Sequence, residues 1–396
     1  MIRSCVIGWV MTIALQAEAD DHAEPRSWRD GDHLTGDWAG RAALADRGVT
    51  LDVLYAADLF TAHSHATLLG HLDAALTLDT HKLGWWDGGL MFVLAQNSEG
   101  TGINSQVGST QPVTNLEADE YTQVTELFFE QALLDDKLRI RVGKQDANRD
   151  FGTPRFGGNF INNNFGMFPN SPLPSYPTTG LGAVVNARPI GWLTAKVAIY
   201  EGSPMVGGLN LDTAFREGAG YTLVTGVAAT RTFGPDARDG GTTSFGVWDQ
   251  AGAFTQVGVP DPRVFDRNDG WFVQHDERIY THPGDPSDGR GLNVILRFSW
   301  ARADRNETAR YAGGSVAWHG VGTRRDDTIG LGVGYFTIAE PVGGSPGPSD
   351  ELFFETFYKA RFTSFVSLQP DLQFYRHAGG DGRDAVLVGA RLKVKL

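Results

Sequence analysis

Hydrophobic and polar residues alternate with a period of two along most of the chain beyond its first fifty positions. In the last segment, Val386, Val388 and Leu392 share one face, whereas Arg391 and Lys393 share the other. Successive side chains of a β-strand point to opposite faces, so this period is typical of strands. The pattern therefore predicts many strands that are apolar on one face and polar or charged on the other.

About sixteen such segments can be counted, of which two, at 242–250 and 271–280, alternate poorly. Three connections are long, at 97–120, 148–178 and 202–220, and others are tight. Strands of about ten residues, joined by alternating short turns and longer loops, are typical of outer-membrane barrels, which use an even number of strands. We therefore predict an all-β protein, a transmembrane antiparallel β-barrel of about 16 strands.

The first 48 residues follow a different pattern. An early arginine, a ten-residue apolar run and an Ala-Glu-Ala site predict a signal peptide at 1–19. Thr35 or Asp37 can cap a short helix, so 20–48 is predicted to be a periplasmic or lumenal segment with a short helix. The barrel is predicted to occupy 49–396. Whether the segment before it plugs the pore or lies free is left open.

Composition excludes several classes of protein. The only cysteine, Cys5, excludes a disulfide scaffold and cysteine-based zinc sites. The net charge of −13 argues against a nucleic-acid partner, which requires a basic face. Charges on the polar faces of successive strands favour a water-filled lumen over the alternative, a soluble β-sandwich or β-solenoid. We expect no cofactor and no metal, since clustered turn histidines without supporting carboxylates are seldom ligands.

Several blocks of sequence resemble one known family, the OprB-type carbohydrate-selective porins of Gram-negative outer membranes. They lie at 34–40, 47–50, 143–148, 326–330 and 368–373, the last reading Leu-Gln-Pro-Asp-Leu-Gln. The resemblance implies a sixteen-stranded barrel that passes sugars by passive diffusion, as a trimer or a monomer. Its expected partners are carbohydrate solutes, outer-membrane lipid, the barrel-assembly machinery and other copies in a possible homotrimer. One departure is the C-terminal residue, which is leucine instead of an aromatic residue.

The candidate site residues are side chains expected to face the lumen. Alternation places charged residues of several strands on that face, and the long loop after Gly143 is rich in amides and modest in charge. Because long loops of barrels can fold inward, we expect this loop to narrow the lumen. The candidate pore-lining and sugar-contacting residues are Arg139, Arg141, Lys144, Asp146, Asn148, Arg155, Asn162, Asn163, Asn164, Glu355, Lys359, Arg361, Gln369, Asp371 and Gln373.

The predicted function is that of an outer-membrane porin that admits small carbohydrates, such as glucose, to the periplasm. We expect no enzymatic activity, since no phosphate loop, nucleophile elbow or zinc-protease motif occurs. Glu126 and Glu130 have the residue types of a glycosidase pair, but four-residue spacing only puts them on one face of a strand. The alternatives are a general-diffusion porin, a porin that prefers anions or sugar acids, and a secreted soluble β-rich protein that binds polysaccharide.

Overall fold

The chain folds almost entirely into β-strands. A computed structural model describes residues 31–206, 218–233, 239–283, 289–339 and 349–396. The predicted signal peptide at 1–19 lies outside them. The strands are β1 (Val49–Ala62), β2 (His65–Asp79), β3 (Gly89–Gly100), β4 (Tyr121–Leu133), β5 (Leu138–Gln145), β6 (Gly180–Ile190), β7 (Leu193–Glu201), β8 (Tyr221–Phe233), β9 (Asp239–Thr255), β10 (Val264–Thr281), β11 (Gly291–Ala301), β12 (Thr308–Val321), β13 (Arg324–Ile338), β14 (Asp350–Arg361), β15 (Val366–Ala378) and β16 (Arg383–Lys395).

Every strand pairs antiparallel with its neighbours in sequence, and β1 also pairs with β16, so the sheet closes into a barrel. At this closing seam Asp58 of β1 lies opposite Arg391 of β16. The two poorly alternating segments form most of β9 and β10. β10 carries register shifts against both neighbours, and an irregularity of this kind disturbs the alternation of faces. The predicted 16-stranded antiparallel β-barrel is confirmed.

The two faces of the wall differ as the alternation predicts. Leu59 and Val388 point outward and are 55% and 50% exposed, whereas Asp58 and Arg391 point inward and are 1% and 3% exposed. An apolar outer face suits lipid, and a polar inner face suits a lumen. None of the helices in the described part of the chain is long and apolar enough to cross a membrane.

The two ends of the barrel differ in their connections. At one end, here called the turn end, β1 begins, β16 ends, and short turns such as 134–137 and 191–192 join the strands. At the opposite, loop end, two long connections are described completely. These are the seam loop, residues 101–120, which contains helix α2 (Asn104–Val107), and the lumen loop, residues 146–179, which contains helix α3 (Asn148–Phe151).

The segment before the barrel lies against the wall at the turn end. It contains a short helix, α1 (Arg41–Asp46), as expected. The backbone N–H of Leu34 donates to the carbonyl of Lys395 at 2.9 Å, and Arg41 donates to the carbonyl of Leu396 at 2.8 Å. The carbonyl of Gly31 accepts a hydrogen bond from Ser364 in the turn between β14 and β15. Residues 31–48 are therefore fastened to β1 and β14–β16.

Candidate pore constriction

The lumen loop enters the barrel and is fastened first to the wall formed by β4, β5 and β6. Arg141 of β5 donates to Glu130 of β4 at 2.7 Å and to Asp150 of the loop at 2.7 Å. Asn186 of β6 donates to the other oxygen of Asp150 at 3.1 Å. Lys196 of β7 donates to the backbone carbonyl of Asp150. Helix α3 is thus held against this side of the lumen by the ion pairs of Arg141 and by the donors Asn186 and Lys196.

A second attachment comes from Arg297 of β11, whose side chain is fully buried. Its guanidinium donates to the carbonyls of Asn164 at 2.9 Å and Gly152 at 2.7 Å, and it lies over the ring of Phe168 at 4.0 Å. Tyr311 of β12 also donates to the carbonyl of Asn164, at 2.9 Å. Because the planar fork of arginine offers several donors in fixed geometry, one side chain binds two separate turns of the loop.

The opposite side of the loop reaches β14 and β15. Glu355 accepts from the backbone N–H of Ile161 at 2.7 Å and of Asn162 at 2.9 Å. The side chain of Asn162 donates to the hydroxyl of Tyr375 at 2.7 Å and to Gln373 at 3.2 Å. The loop therefore runs from the β5 wall to the β15 wall and crosses the lumen, as expected.

Aromatic rings fill the space between the loop and this wall. Phe160 packs edge-on against Phe357 with ring centres 5.1 Å apart, and Phe165 packs against Phe353 at 5.7 Å. The lumen face of β13 provides the room for them, since a methyl group at Gly332 would lie 2.3 Å from Cζ of Phe165. The packing of the loop thus explains Gly332, whereas Gly330 and Gly334 make room for the rings of Phe357 and Phe353 of β14.

The seam loop contributes a second part of the constriction that the sequence analysis missed. At the seam, Arg391 and Asp58 form an ion pair at 2.6 Å. Thr114 donates to Asp58 at 2.5 Å, and Arg391 donates to Asn115 at 2.8 Å. The backbone N–H of Asn115 donates to Ile161 of the lumen loop at 2.8 Å. The two loops are therefore bonded to each other as well as to the wall.

Two carboxylates of the lumen loop have opposite pKa shifts. Burial, followed by the charge of Glu126, raises the pKa of Asp146 to about 7. Burial also acts to raise the pKa of Asp150, but the guanidinium of Arg141 outweighs it, and the pKa of Asp150 lies below its ordinary value. Asp150 thus stays ionised as an anchor, whereas Asp146 changes its charge near neutral pH.

The candidate residues fall into four groups in the structure. Most of them either anchor the lumen loop or lie within it: Arg141, Asp146, Asn148, Arg155, Asn162, Asn163, Asn164, Glu355, Gln369 and Gln373. Arg139, which bonds to Glu130 and Asp136, and Asp371, which accepts from Gln373, are bonded to the wall and its turns instead of to the loop. Lys359 and Arg361 lie on the lumen face toward the turn end. Lys144 pairs in register with Leu127, whose side chain is exposed on the outer face. By register, Lys144 therefore belongs to the outer face of the wall instead of the lumen face.

Lysines at the turn end form a set of their own, here called the lysine row: Lys359, Lys393 and Lys395. In register, Lys393 lies opposite Ser367 and Ala56, which face the lumen. The ammonium groups of the row make no hydrogen bond or ion pair with any described residue. Among the described residues, no three histidine, cysteine, aspartate or glutamate side chains come together to hold a metal ion.

Comparisons with known proteins agree with this architecture. The structure is similar to the high-pH structure of Pseudomonas putida OprB, with a TM-score of 0.80 and 18% identity over 94% of this chain and 100% of that chain. The low-pH structure of the same protein gives 0.63 and 15% identity over 93% and 99%. Pseudomonas aeruginosa OpdK with vanillate gives 0.50 and 9% identity over 88% and 98%. No curated protein sequence matches the chain significantly.

Membership of a family follows from the sequence itself. Residues 63–396 match the family described as the carbohydrate-selective porin, OprB family. The matched region includes fifteen complete strands, both loops of the constriction and the arginine of the closing seam. A porin of this fold is a channel, which implies an outer-membrane location and sugars as the solutes that pass. The chain belongs to the OprB family of carbohydrate-selective porins.

Proposed function

We propose that this channel carries small neutral carbohydrates, monosaccharides such as glucose, by passive diffusion across the outer membrane into the periplasm. The observation that carries the proposal is the use of charge at the constriction. Arg141, Arg297 and Arg391 all donate to carboxylates or carbonyls of the two loops or of the adjacent wall. Two of these charges, on Arg141 and Arg391, are therefore balanced by carboxylates, and the guanidinium of Arg297 is held by hydrogen bonds to the lumen loop.

Such an environment is suited to a sugar. A sugar carries hydroxyl groups that both donate and accept, and a channel passes it when side chains replace the hydrogen bonds to water without holding it tightly. Amides in the lumen loop, such as Asn163, offer both kinds of group. No step of bond chemistry is required, and the direction of flow follows the sugar gradient.

A second candidate function is a preference for anions or sugar acids. The lysine row favours it, because ammonium groups that face a lumen and have no partner in the described part of the chain raise the local concentration of anions. The row lies on the turn-end side of the constriction. It therefore acts on anions that have passed the constriction from the loop end and on anions that enter from the turn end. The general-diffusion alternative lacks an observation of this kind.

The experiment that tests the proposal measures permeation and block together. Mature protein is reconstituted into liposomes for swelling assays with glucose, and into planar bilayers for single-channel currents with glucose titrated in. Rapid swelling and saturable reduction of the current by glucose are the expected results. Swelling that is equally fast for solutes of the same size without sugar hydroxyls would favour general diffusion, and faster entry of gluconate than of glucose would favour the second candidate.

Two proposed partners rest on the family resemblance. Insertion by the barrel-assembly machinery and association as a homotrimer remain predictions for this chain. Light scattering of the purified protein in detergent would measure the subunit number directly, and a monomer would contradict the trimer.

A further inference from the structure

A cavity of about 260 Å³ lies between the seam loop and the lumen loop. We call it the vestibule cavity, and we define it by six of its lining residues: Gln111, Asn115 and Glu117 of the seam loop, and Asn163, Tyr176 and Thr178 of the lumen loop. None of the seam-loop residues among these was a candidate from the sequence. The cavity lies on the loop-end side of the barrel, where both loops begin and end.

The walls of the vestibule cavity are fixed in place before any solute arrives. The hydroxyl of Tyr176 donates across the loops to the carbonyl of Leu116 at 2.9 Å. Asn115 is held by Arg391 at 2.8 Å, and its backbone bonds to Ile161 at 2.8 Å. A preformed cavity binds a ligand without the entropic cost of ordering its own loops. Small-molecule sites are commonly cavities of this kind.

The lining has the chemistry that binds a sugar ring. Three amides, at Gln111, Asn115 and Asn163, and the hydroxyl of Thr178 line the cavity, and each also makes a hydrogen bond within the loops or to the wall. An amide has two donors and two acceptor lone pairs, so each retains capacity for a sugar hydroxyl, and the ring of Tyr176 provides an apolar surface. The volume is below the ~300 Å³ at which pockets for drug-sized molecules begin, so it suits a single ring. The carboxylate of Glu117 accepts from the N–H of Asn104 at 2.8 Å, and burial raises the pKa of this carboxylate above its ordinary value.

We propose that the vestibule cavity is a binding site for one neutral monosaccharide, which the sugar occupies before it passes the constriction. This inference rests on the proposed function and names the position at which the channel first holds the sugar ring.

The test compares variants on the two walls of the cavity. Gln111→Ala and Asn163→Ala remove one amide from each loop, and Gln111→Met removes the amide while keeping the length of the side chain. Ser105→Ala, at an exposed position of the same seam loop, is the matched control. Glucose is added to the loop side of single channels in a planar bilayer, and the half-blocking concentration is measured for each protein.

Each amide variant is expected to raise the half-blocking concentration of glucose about 3- to 10-fold, which corresponds to the loss of one hydrogen bond. The control stays at the wild-type value. Unchanged glucose block in all three amide variants, with wild-type conductance as proof of folding, would overturn the cavity site. Liposome swelling separates the two proposals, because wild-type protein that does not admit glucose contradicts the proposed function, whatever the variants do.

Discussion

Arginines at the constriction and lysines at the turn end face the same lumen but are used differently. Arg141, Arg297 and Arg391 together bind both loops. Lys359 of β14 and Lys393 of β16, on lumen-facing positions nearer the turn end, have no such partner among the described residues. Cationic side chains in this lumen therefore fall into two groups. One group holds the two loops in place, and the other faces the lumen, where it can act on solutes.

The chemistry of the two side chains explains the division. A guanidinium donates in several fixed directions and stacks on aromatic rings, as Arg297 does on Phe168 at 4.0 Å. An ammonium is a compact, strongly hydrated charge on a flexible stem. It can support a loop by a single contact, as Lys196 does at the carbonyl of Asp150, but it lacks a fixed fork of donors. In a water-filled space its charge acts on passing ions.

The largest effect is expected from Arg297→Ala, which removes the shared support of Asn164 and Gly152. Charge-assisted hydrogen bonds contribute about 1.5–3 kcal/mol each, so the lumen loop should leave the wall in a large fraction of molecules. We expect a several-fold rise in single-channel conductance and weaker block by glucose. Arg297→Lys should recover part of the wild-type behaviour, and wild-type conductance in Arg297→Ala would show that the loop is held elsewhere.

The next effect concerns pH and the lumen loop. The pKa of Asp146 is about 7 in the folded protein, against an ordinary value of ~3.9. Because the folded pKa is raised, the proton stabilises the folded state, and this stability is full below pH ~4 and is lost as pH rises to about 7. Protein unfolding in urea should show a loss of up to ~4 kcal/mol over this range from this group.

Two variants separate this contribution from the other carboxylates. Asp146→Asn should flatten the pH dependence of the urea midpoint between pH 4 and 7, whereas Asp87→Asn, at an exposed turn position, should leave it as in the wild type. An unchanged slope in Asp146→Asn would show that Asp146 is ionised throughout.

A smaller effect is expected from Gly332→Ala, which places a methyl group 2.3 Å from the ring of Phe165. Overpacking costs about 1–3 kcal/mol, and the displaced ring should loosen the lumen loop without removing any charge. The matched control is Gly314→Ala on β12, whose register partner Val333 faces outward. Current noise in single channels is the measurement; equal noise in both variants would mean that the ring moves freely into other space.

The smallest effect is expected from the double variant Lys359→Ala with Lys393→Ala. Removing two cations that have no partner within the described ranges should change ion energies in the lumen by ~0.5–1 kcal/mol, which lowers the anion-to-cation permeability ratio about two- to fivefold. Reversal potentials in a salt gradient measure this ratio, and Lys82→Ala, in a turn outside the lumen, is the control. A matching drop in glucose permeation would contradict the division between supporting and free cations.

The sequence predicts the wall of the barrel well because a local rule, the alternation of side chains along a strand, decides which face each wall residue lies on. Arg391 and Leu392 are adjacent in the chain and point to opposite faces, so the period of two is sufficient to place them. Bulges break the rule, and the register shift between Arg278 and Tyr280 lies within the segment of β10 that alternates poorly.

The attachment of the loops follows no local rule. Arg297 and Asn164 are 133 positions apart, and Thr114 and Asp58 are 56 apart, so no spacing in the sequence connects them. The composition of the lumen loop, which is rich in amides, predicts that this loop folds inward. The seam loop, although also long, carried no comparable feature, and its amides at Gln111 and Asn115 become recognisable only when the barrel brings the two loops together.

The closing seam also sets an order of events during assembly. Asp58 belongs to the first strand and Arg391 to the last, so the ion pair that receives Thr114 and Asn115 does not exist until the final strand has been made and has joined the first. The seam loop therefore makes its contacts with this ion pair only at the last step of closure. A sheet that contains all sixteen strands but has not yet paired β1 with β16 would lack the complete constriction. Selectivity would therefore be acquired when the barrel closes.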